Sequence, residues 1–356
     1  MPNWLKSMQQ TYRFFKVDPN TWLDIDEIKS IISDKCTINW DSTVNTLGSA
    51  SITATEVIGE CYIRIYMQTT QDGITEMIPL GTFLFQPPST DYDGKSKNIP
   101  MTGYTPLMEL KEKQPSIGYT IPKGTRYMDL AVRLTSDYTR APVVGVQASN
   151  KLTANFTAGT DDTWLTYLTD LISNADYVYD VDSMGDILFS PKVATEKMQP
   201  VATFRDDENS ILLPEVTIER DLYGIPNVVE VIYSEGVSKP ITAIVKNMNP
   251  NSPVSIPNRG REIVHRVINP SLSGTPNAEY IRQYAQALLE TLSKLEYKVT
   301  YSHGYCPIRV GDCVLLDYER SGLRNIKAKI ISQSINCKTG CTIEETAVFV
   351  QDLLKG

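Results

Sequence analysis

Residues 275–318 read TPNAEYIRQYAQALLETLSKLEYKVTYSHGYCPIRVGDCVLLDY, and the change of period inside this stretch decides the fold. Thr275 suits a helix N-cap, and Pro276 suits the first helical position, where a missing N–H costs nothing. Tyr280, Ile281, Tyr284, Ala285, Leu288, Leu289, Leu292 and Leu295 recur at helical spacing, which predicts a helix over 276–296. The opposite face, Arg282, Gln283, Gln286, Glu290 and Lys294, is polar. After Glu296 the pattern alternates. Tyr297, Val299 and Tyr301 take one side and Lys298, Thr300 and Ser302 the other, the period of a half-buried strand. A turn over 307–312 and the apolar run Cys313–Leu316 follow. The unit is helix, strand, turn, strand. The helix is expected to brace strands 297–303 and 313–318, and no catalytic pattern lies in it.

Outward from this unit, strand signals dominate. Cys36–Trp40 and Ser51–Thr55 alternate, and Cys61–Met67 is a strand. Gln71-Asp72-Gly73 joins it to the apolar run 78–85, the hairpin signature of Asp-Gly between apolar stretches. Residues 160–172 place Trp164, Leu165, Leu168, Leu171 and Ile172 on one helical face, with Thr160 or Asp161 as cap. A hairpin over 177–190 follows. Strands are expected over 213–220, 227–233, 326–334 and 342–349, and the Asn/Pro/Ser-rich tract 246–261 reads as a long loop. The fold class is mainly β with an α+β insert. The division is a β module over 1–120, a small α/β segment over 121–200 and a second β module over 201–356.

The chain has 356 residues, 41% of them hydrophobic, ample for two or three packed cores. The formal net charge of −8 argues against electrostatic capture of nucleic acid as the main task. Met1-Pro-Asn-Trp-Leu5 has no signal-peptide pattern, and no run approaches the ~20 apolar residues of a membrane span. Folding in the cytosol is expected, with the six cysteines (36, 61, 306, 313, 337, 341) as free thiols.

Four motifs invite a chemical reading. Asp180-Val-Asp-Ser-Met-Gly-Asp-Ile187 starts like a calcium loop, but its twelfth position is Pro191 where a bidentate Glu is needed, so a hairpin turn is expected. Cys337 and Cys341 fall within zinc-knuckle spacing, but Cys306 and Cys313 do not. His303 and Cys306 form a conceivable nucleophile–base couple without an evident third orienting group. The acid runs Asp206-Asp207-Glu208 and Glu344-Glu345 have no opposing acid that sequence can place. No metal, cofactor or catalytic residue is expected, and the protein is read as a non-enzyme. The exposed segments expected to reach a neighbour are Gln71, Asp72 and Gly73 at the hairpin tip, and Asn249, Asn251, Asn258, Arg259 and Arg261 in the long loop.

The order of elements resembles that of the baseplate hub proteins of phage tails and phage-tail-like particles over about residues 30–350. Ile308-Arg-Val-Gly-Asp-Cys-Val-Leu315 and Gly185-Asp-Ile-Leu-Phe189 are the most recognisable pieces. The resemblance implies two tube-like β-barrel domains per chain and a homotrimer whose six barrels form a ring. That ring would adapt a hexameric tail tube to a trimeric spike. Implied partners are the tail tube protein or tube initiator, the spike, the tape-measure protein and baseplate wedge proteins. DNA would be only a cargo passing the lumen, for which an acidic chain is suited. The implied location is a tail baseplate assembled in the bacterial host cytoplasm. The tail-tip protein of a non-contractile tail, a tail-associated cell-wall hydrolase and a carbohydrate-binding β module are the competing readings.

Overall fold

The structure, a computed structural model, describes residues 2–86, 91–92, 97–207, 210–271 and 276–354. The helix in the opening stretch runs over Ala278–Leu292, and the Asn277 side chain caps it by accepting from the Tyr280 N–H at 2.9 Å. The helix therefore starts two residues later than expected; Thr275, the expected cap, lies outside the described residues. Pro276 precedes the cap, so its missing N–H again leaves no helical bond unmade. The C-terminal end also comes early. Lys294–His303 is already a strand, because the buried alternation Tyr297, Val299, Tyr301, His303 outweighs the helical position of Leu295.

The chain divides into two compact units, Met1–Val216 with Thr300–Ala347 and Thr217–Val299 with Val348–Gly356. These cuts differ from the three sequence segments. In the smaller unit the helix covers a three-stranded sheet ordered Ile241–Lys246, Val228–Tyr233, Val264–Ile268. The first pair is antiparallel and the second parallel. Ile281, Ala285 and Leu289 are buried against Val229, Val231 and Ala243. The expected brace is thus corrected: the helix packs on strands 228–246, whose alternating Val229 and Val231 supply the apolar face. Burying Ile281 and Leu289 contributes about 1.5–3 kcal/mol each before entropy is counted. Leu289→Ala is expected to cost about 2–5 kcal/mol, read as a lower denaturant midpoint; a loss under about 1 kcal/mol would show the helix to be peripheral. The ends of two strands complete this unit, where Tyr297 and Phe349 meet at 5.2 Å between ring centroids.

The larger unit is organised on a mainly antiparallel sheet. Of the strands that lie wholly within this unit, the hydrogen-bonded order is Leu323–Asn336, Thr37–Asp41, Gly48–Ala54, Lys97–Tyr104, Ile74–Gln86, Cys61–Gln71, Gln9–Val17, Asp24–Glu27. Cys313–Tyr318 pairs with Leu323–Asn336, and Ala202–Arg205 lies parallel to Cys313–Tyr318. Strands from the two ends of the sequence meet at one antiparallel ladder, Ser332–Asn336 against Asp41–Thr37. Among the described residues this order is a path with two ends, and no ladder closes either half into a barrel. The mainly β class with an α+β insert holds.

The insert carries the helices Tyr127–Tyr138 and Trp164–Ser173 and the hairpin Tyr177–Val181/Ile187–Pro191. The second helix is capped by Thr163 in a reciprocal capping box with Thr166, not by Thr160 or Asp161. Trp164 anchors this core, stacked on Tyr138 at 4.5 Å and buried with Leu165, Leu168 and Leu171.

Candidate assembly surfaces and buried polar clusters

The hairpin tip 71–73 and the tract 246–261 are the segments that sequence reasoning offered to a neighbour. Asp72 and Gly73 have φ of 51° and 80°, the two left-handed central positions of a type I′ turn, and both are exposed. Gln71 is occupied within the chain: its side chain accepts from the Asn3 N–H at 2.7 Å and donates to the Asn3 carbonyl at 3.0 Å. It fastens the N-terminal segment to the tip.

The tract 246–261 is a compact, internally bonded structure and not an open loop. It contains the short helix Ile256–Arg259, capped by Ser255 and ended by Gly260 at φ 64°. Asn258 donates to the carbonyls of Pro250 and Ser252 at 2.7 and 2.8 Å. Asn249 donates to the Leu354 carbonyl at 2.6 Å, and its side-chain oxygen accepts from the Asn251 N–H. The Arg259 guanidinium donates to the carbonyls of Leu222 and Ile225. The fully buried Asn227 bonds the Arg261 carbonyl and the Ile263 N–H. Asparagine is common here because its short amide satisfies backbone groups in turns. Asn249, Asn258 and Arg259 shape the tract, while Asn251 and Arg261 are exposed on it.

Asp182 closes its turn as the hairpin reading expects, accepting from the N–H groups of Met184 and Asp186 at 2.9 Å each. The tip is docked within the larger unit. The Met184 carbonyl accepts from Trp22 Nε1 and from the Arg64 guanidinium, both at 2.9 Å. Arg64 is 2% exposed and also bonds Asp24 at 2.7 Å and Thr82 at 2.9 Å. Gly185 is required here, because a Cβ would sit 2.8 Å from Thr82 Cβ and its φ is 86°.

The His303–Cys306 couple does have a third group, which sequence reading missed. Glu345 Oε1 lies 3.4 Å from His303 Nε2, with both side chains fully buried. Glu345 also accepts from the Tyr301 hydroxyl and from Gln333, both at 2.7 Å. The geometry is nevertheless not nucleophilic. His303 Nδ1 is 2.6 Å from the Gly304 carbonyl and so must carry the proton it donates there; it cannot take one from Cys306, 3.8 Å away. Burial, then the nearby Glu345 charge, pushes the Cys306 thiol up to about 12.

A cleft of about 550 Å³ in the larger unit is walled by Trp40, Leu80, Tyr179 and Ile308, with Asp180 and Asp312 on its lining. Arg309 joins the two acids: its N–H donates to Asp312 at 3.0 Å and its guanidinium lies 3.7 Å from Asp180. Burial raises the Asp312 carboxyl above its usual range. An arginine-bridged acid pair is the arrangement of an ion cluster more than of a separated acid and base.

Neither a family model nor any curated protein matches the sequence. Solved structures do match. A tail protein from Neisseria meningitidis MC58 superposes with a TM-score of 0.59 at 13% identity, over 96% of each chain. The 43 kDa tail protein of prophage MuSo2 from Shewanella oneidensis gives 0.60 at 11% identity, over 95% of this chain and 98% of that one. The chain has the phage tail-protein fold. The same fold extends to a chain of the Francisella PdpA–VgrG complex, with a TM-score of 0.57 at 9% identity, covering 96% of this chain and 58% of that one. At such identities the tail-protein fold is held by burial pattern and ladder order, not by shared residues.

Proposed function

We propose that this chain is a structural baseplate hub protein of a phage tail or phage-tail-like particle. Three copies form a pseudo-sixfold ring that adapts a hexameric tail tube to a trimeric spike. The observation that carries the reading is the end-to-end match of fold to two tail proteins of nearly the same length. The sheet adds support: strands of the N-terminal module, 1–120, and of the C-terminal module, 201–356, contribute adjoining runs, as two ring-forming modules in one chain require. The α/β segment 121–200 lies between them in sequence.

In this reading the partners are two further copies, the tube protein or tube initiator, the spike, and the tape-measure and wedge proteins nearby. DNA crosses the lumen only in passing. Asp72, Gly73, Asn251 and Arg261 are the contacting residues, with Gln71, Asn249, Asn258 and Arg259 holding them in place. The chain assembles in the host cytoplasm and resides in the baseplate.

Light scattering on the purified chain, alone and with its tube and spike partners, tests the reading. A trimer, or a three-copy complex with either partner, is expected. A strictly monomeric species beside both partners would overturn it. The hydrolase alternative is tested on the same material, because peptidoglycan clearing by the isolated chain, lost in Asp312→Asn, would replace the hub reading.

A further inference from the structure

Three buried thiols, unused by the hub reading, gather where the two ends of the sequence meet in the sheet. The antiparallel ladder between Thr37–Asp41 and Leu323–Asn336 ends at the pair Thr37 and Asn336. The next residue on each strand is a cysteine, Cys36 and Cys337, and the Cys337 N–H donates to the Cys36 carbonyl at 3.1 Å. The two therefore continue the ladder as directly opposed residues. Opposed antiparallel residues have Cα atoms about 4.5–5.5 Å apart, inside the span a disulfide bridges. Both side chains are essentially fully buried, and contact with the Cys36 thiol is the main influence on the Cys337 thiol. Cys341 lies across the tight turn that follows, its N–H bonded to the Lys338 carbonyl at 2.9 Å. The Tyr12 hydroxyl donates to that same carbonyl, also at 2.9 Å.

We propose that Cys36 and Cys337 are an oxidisable pair whose disulfide staples the N-terminal strands of the sheet to the C-terminal ones. The oxidant is a small disulfide of the glutathione class. One cysteine, as thiolate, attacks it and releases one small thiol; the second, as thiolate, attacks the mixed disulfide and releases another. Two protein S–H bonds become one S–S bond, and their protons leave on the two released thiols. The Cys36 contact and then burial push the Cys337 thiol up, and both side chains are shut off from solvent, so the step proceeds through fraying of the ladder end beside the exposed Lys338–Gly340 turn. The pair stays reduced in a cytosol and closes outside it. The bond would close a loop of about 300 residues, where restriction of the unfolded chain is greatest.

The test is incubation of the purified full-length chain with glutathione disulfide, followed by denaturation, thiol alkylation, intact mass and peptide mapping. The expected result is loss of two of the six alkylatable thiols, a Cys36–Cys337 cross-linked peptide, and a thermal midpoint raised by about 5 °C. Cys36→Ser should abolish the cross-link and the midpoint shift, while Cys341→Ser should retain both. Should Cys36→Ser not fold, Cys337→Ser serves in its place. Six alkylatable thiols after incubation, a stable glutathione adduct alone, or a Cys337–Cys341 bridge would each overturn the proposal. The outcome is independent of whether the chain trimerises.

Discussion

Arg64→Ala is expected to destabilise the protein by about 3–5 kcal/mol, the range for removing one partner of a buried, hydrogen-bonded ion pair. Arg64 sits in a central strand with 2% of its surface exposed and donates to Asp24, Thr82 and the carbonyls of Trp22 and Met184. Alanine would take the guanidinium donor from Asp24, Thr82 and the Trp22 carbonyl, leave the Met184 carbonyl with Trp22 Nε1 alone, and open a void the size of a guanidinium. The Asp24 side chain is 30% exposed and can recover water; the Trp22 bond is fully buried. Arg64→Lys should recover part of the loss, because one ammonium cannot reproduce a planar fork serving four acceptors. Thr82→Val removes a single partner and should cost about 1 kcal/mol. Guanidinium unfolding of the three variants gives the order directly. If Arg64→Ala lost less than Thr82→Val, the arginine would not be the tie between the N-terminal sheet and the 182–186 turn.

How much of this was legible beforehand follows from the range of each signal. The helix face Ile281, Ala285, Leu289 was legible, because helical spacing is local and the polar positions between are unambiguous. Its cap was not, because Thr275 and Asn277 are both good N-caps and only the path of the backbone chooses between them. The surface the helix covers was also misread. Chain neighbours 297–303 were the nearest strands in sequence, but the sheet built by 228–233 and 241–246 owns the contact. The helix Tyr127–Tyr138 went unnoticed, although Tyr127, Met128, Ala131, Leu134 and Thr135 keep helical spacing; its Thr and Ser residues diluted the apolar signal.

At the candidate sites the split is the same. The Asp72-Gly73 turn is a two-residue rule and was read correctly. The tract 246–261 reads as a long loop because Asn, Pro and Ser mark loops, and the same amides close it on itself. Gln71 holds Asn3 across 68 residues of sequence, and no local pattern announces such a contact. Glu345 and the opposed cysteines belong with it. Each meets its partners through ladder register, which is set by the whole sheet.

Glu345→Ala is expected to have an effect as large as Arg64→Ala, about 3–5 kcal/mol. The reason lies in what would be left behind. Glu345 accepts from Tyr301 and Gln333 and faces His303, and all of these are buried. Alanine would strand the Tyr301 hydroxyl in the core without its acceptor and leave the Gln333 amide with the Ile308 carbonyl alone. Glu345→Gln keeps the shape and one carbonyl oxygen, so Tyr301 or Gln333 retains a partner and the loss should fall to about 1–3 kcal/mol. Cys306→Ala should cost less still, about 1–2 kcal/mol, because the thiol is a weak hydrogen-bonding partner whose main contribution is packing. That ranking, Glu345→Ala above Glu345→Gln above Cys306→Ala, is what a structural cluster produces. A catalytic triad produces a different one: its members fail together in activity while each removal leaves the fold nearly intact. Since His303 Nδ1 already donates to Gly304, the ring has no lone pair to offer Cys306, and its job is to fill and tie the core between Tyr301 and Phe204. Thermal unfolding of the three variants, with thiol-alkylation rates on the native protein, separates the two cases. Fast alkylation of native Cys306, with all three variants near wild-type stability, would sink the structural reading.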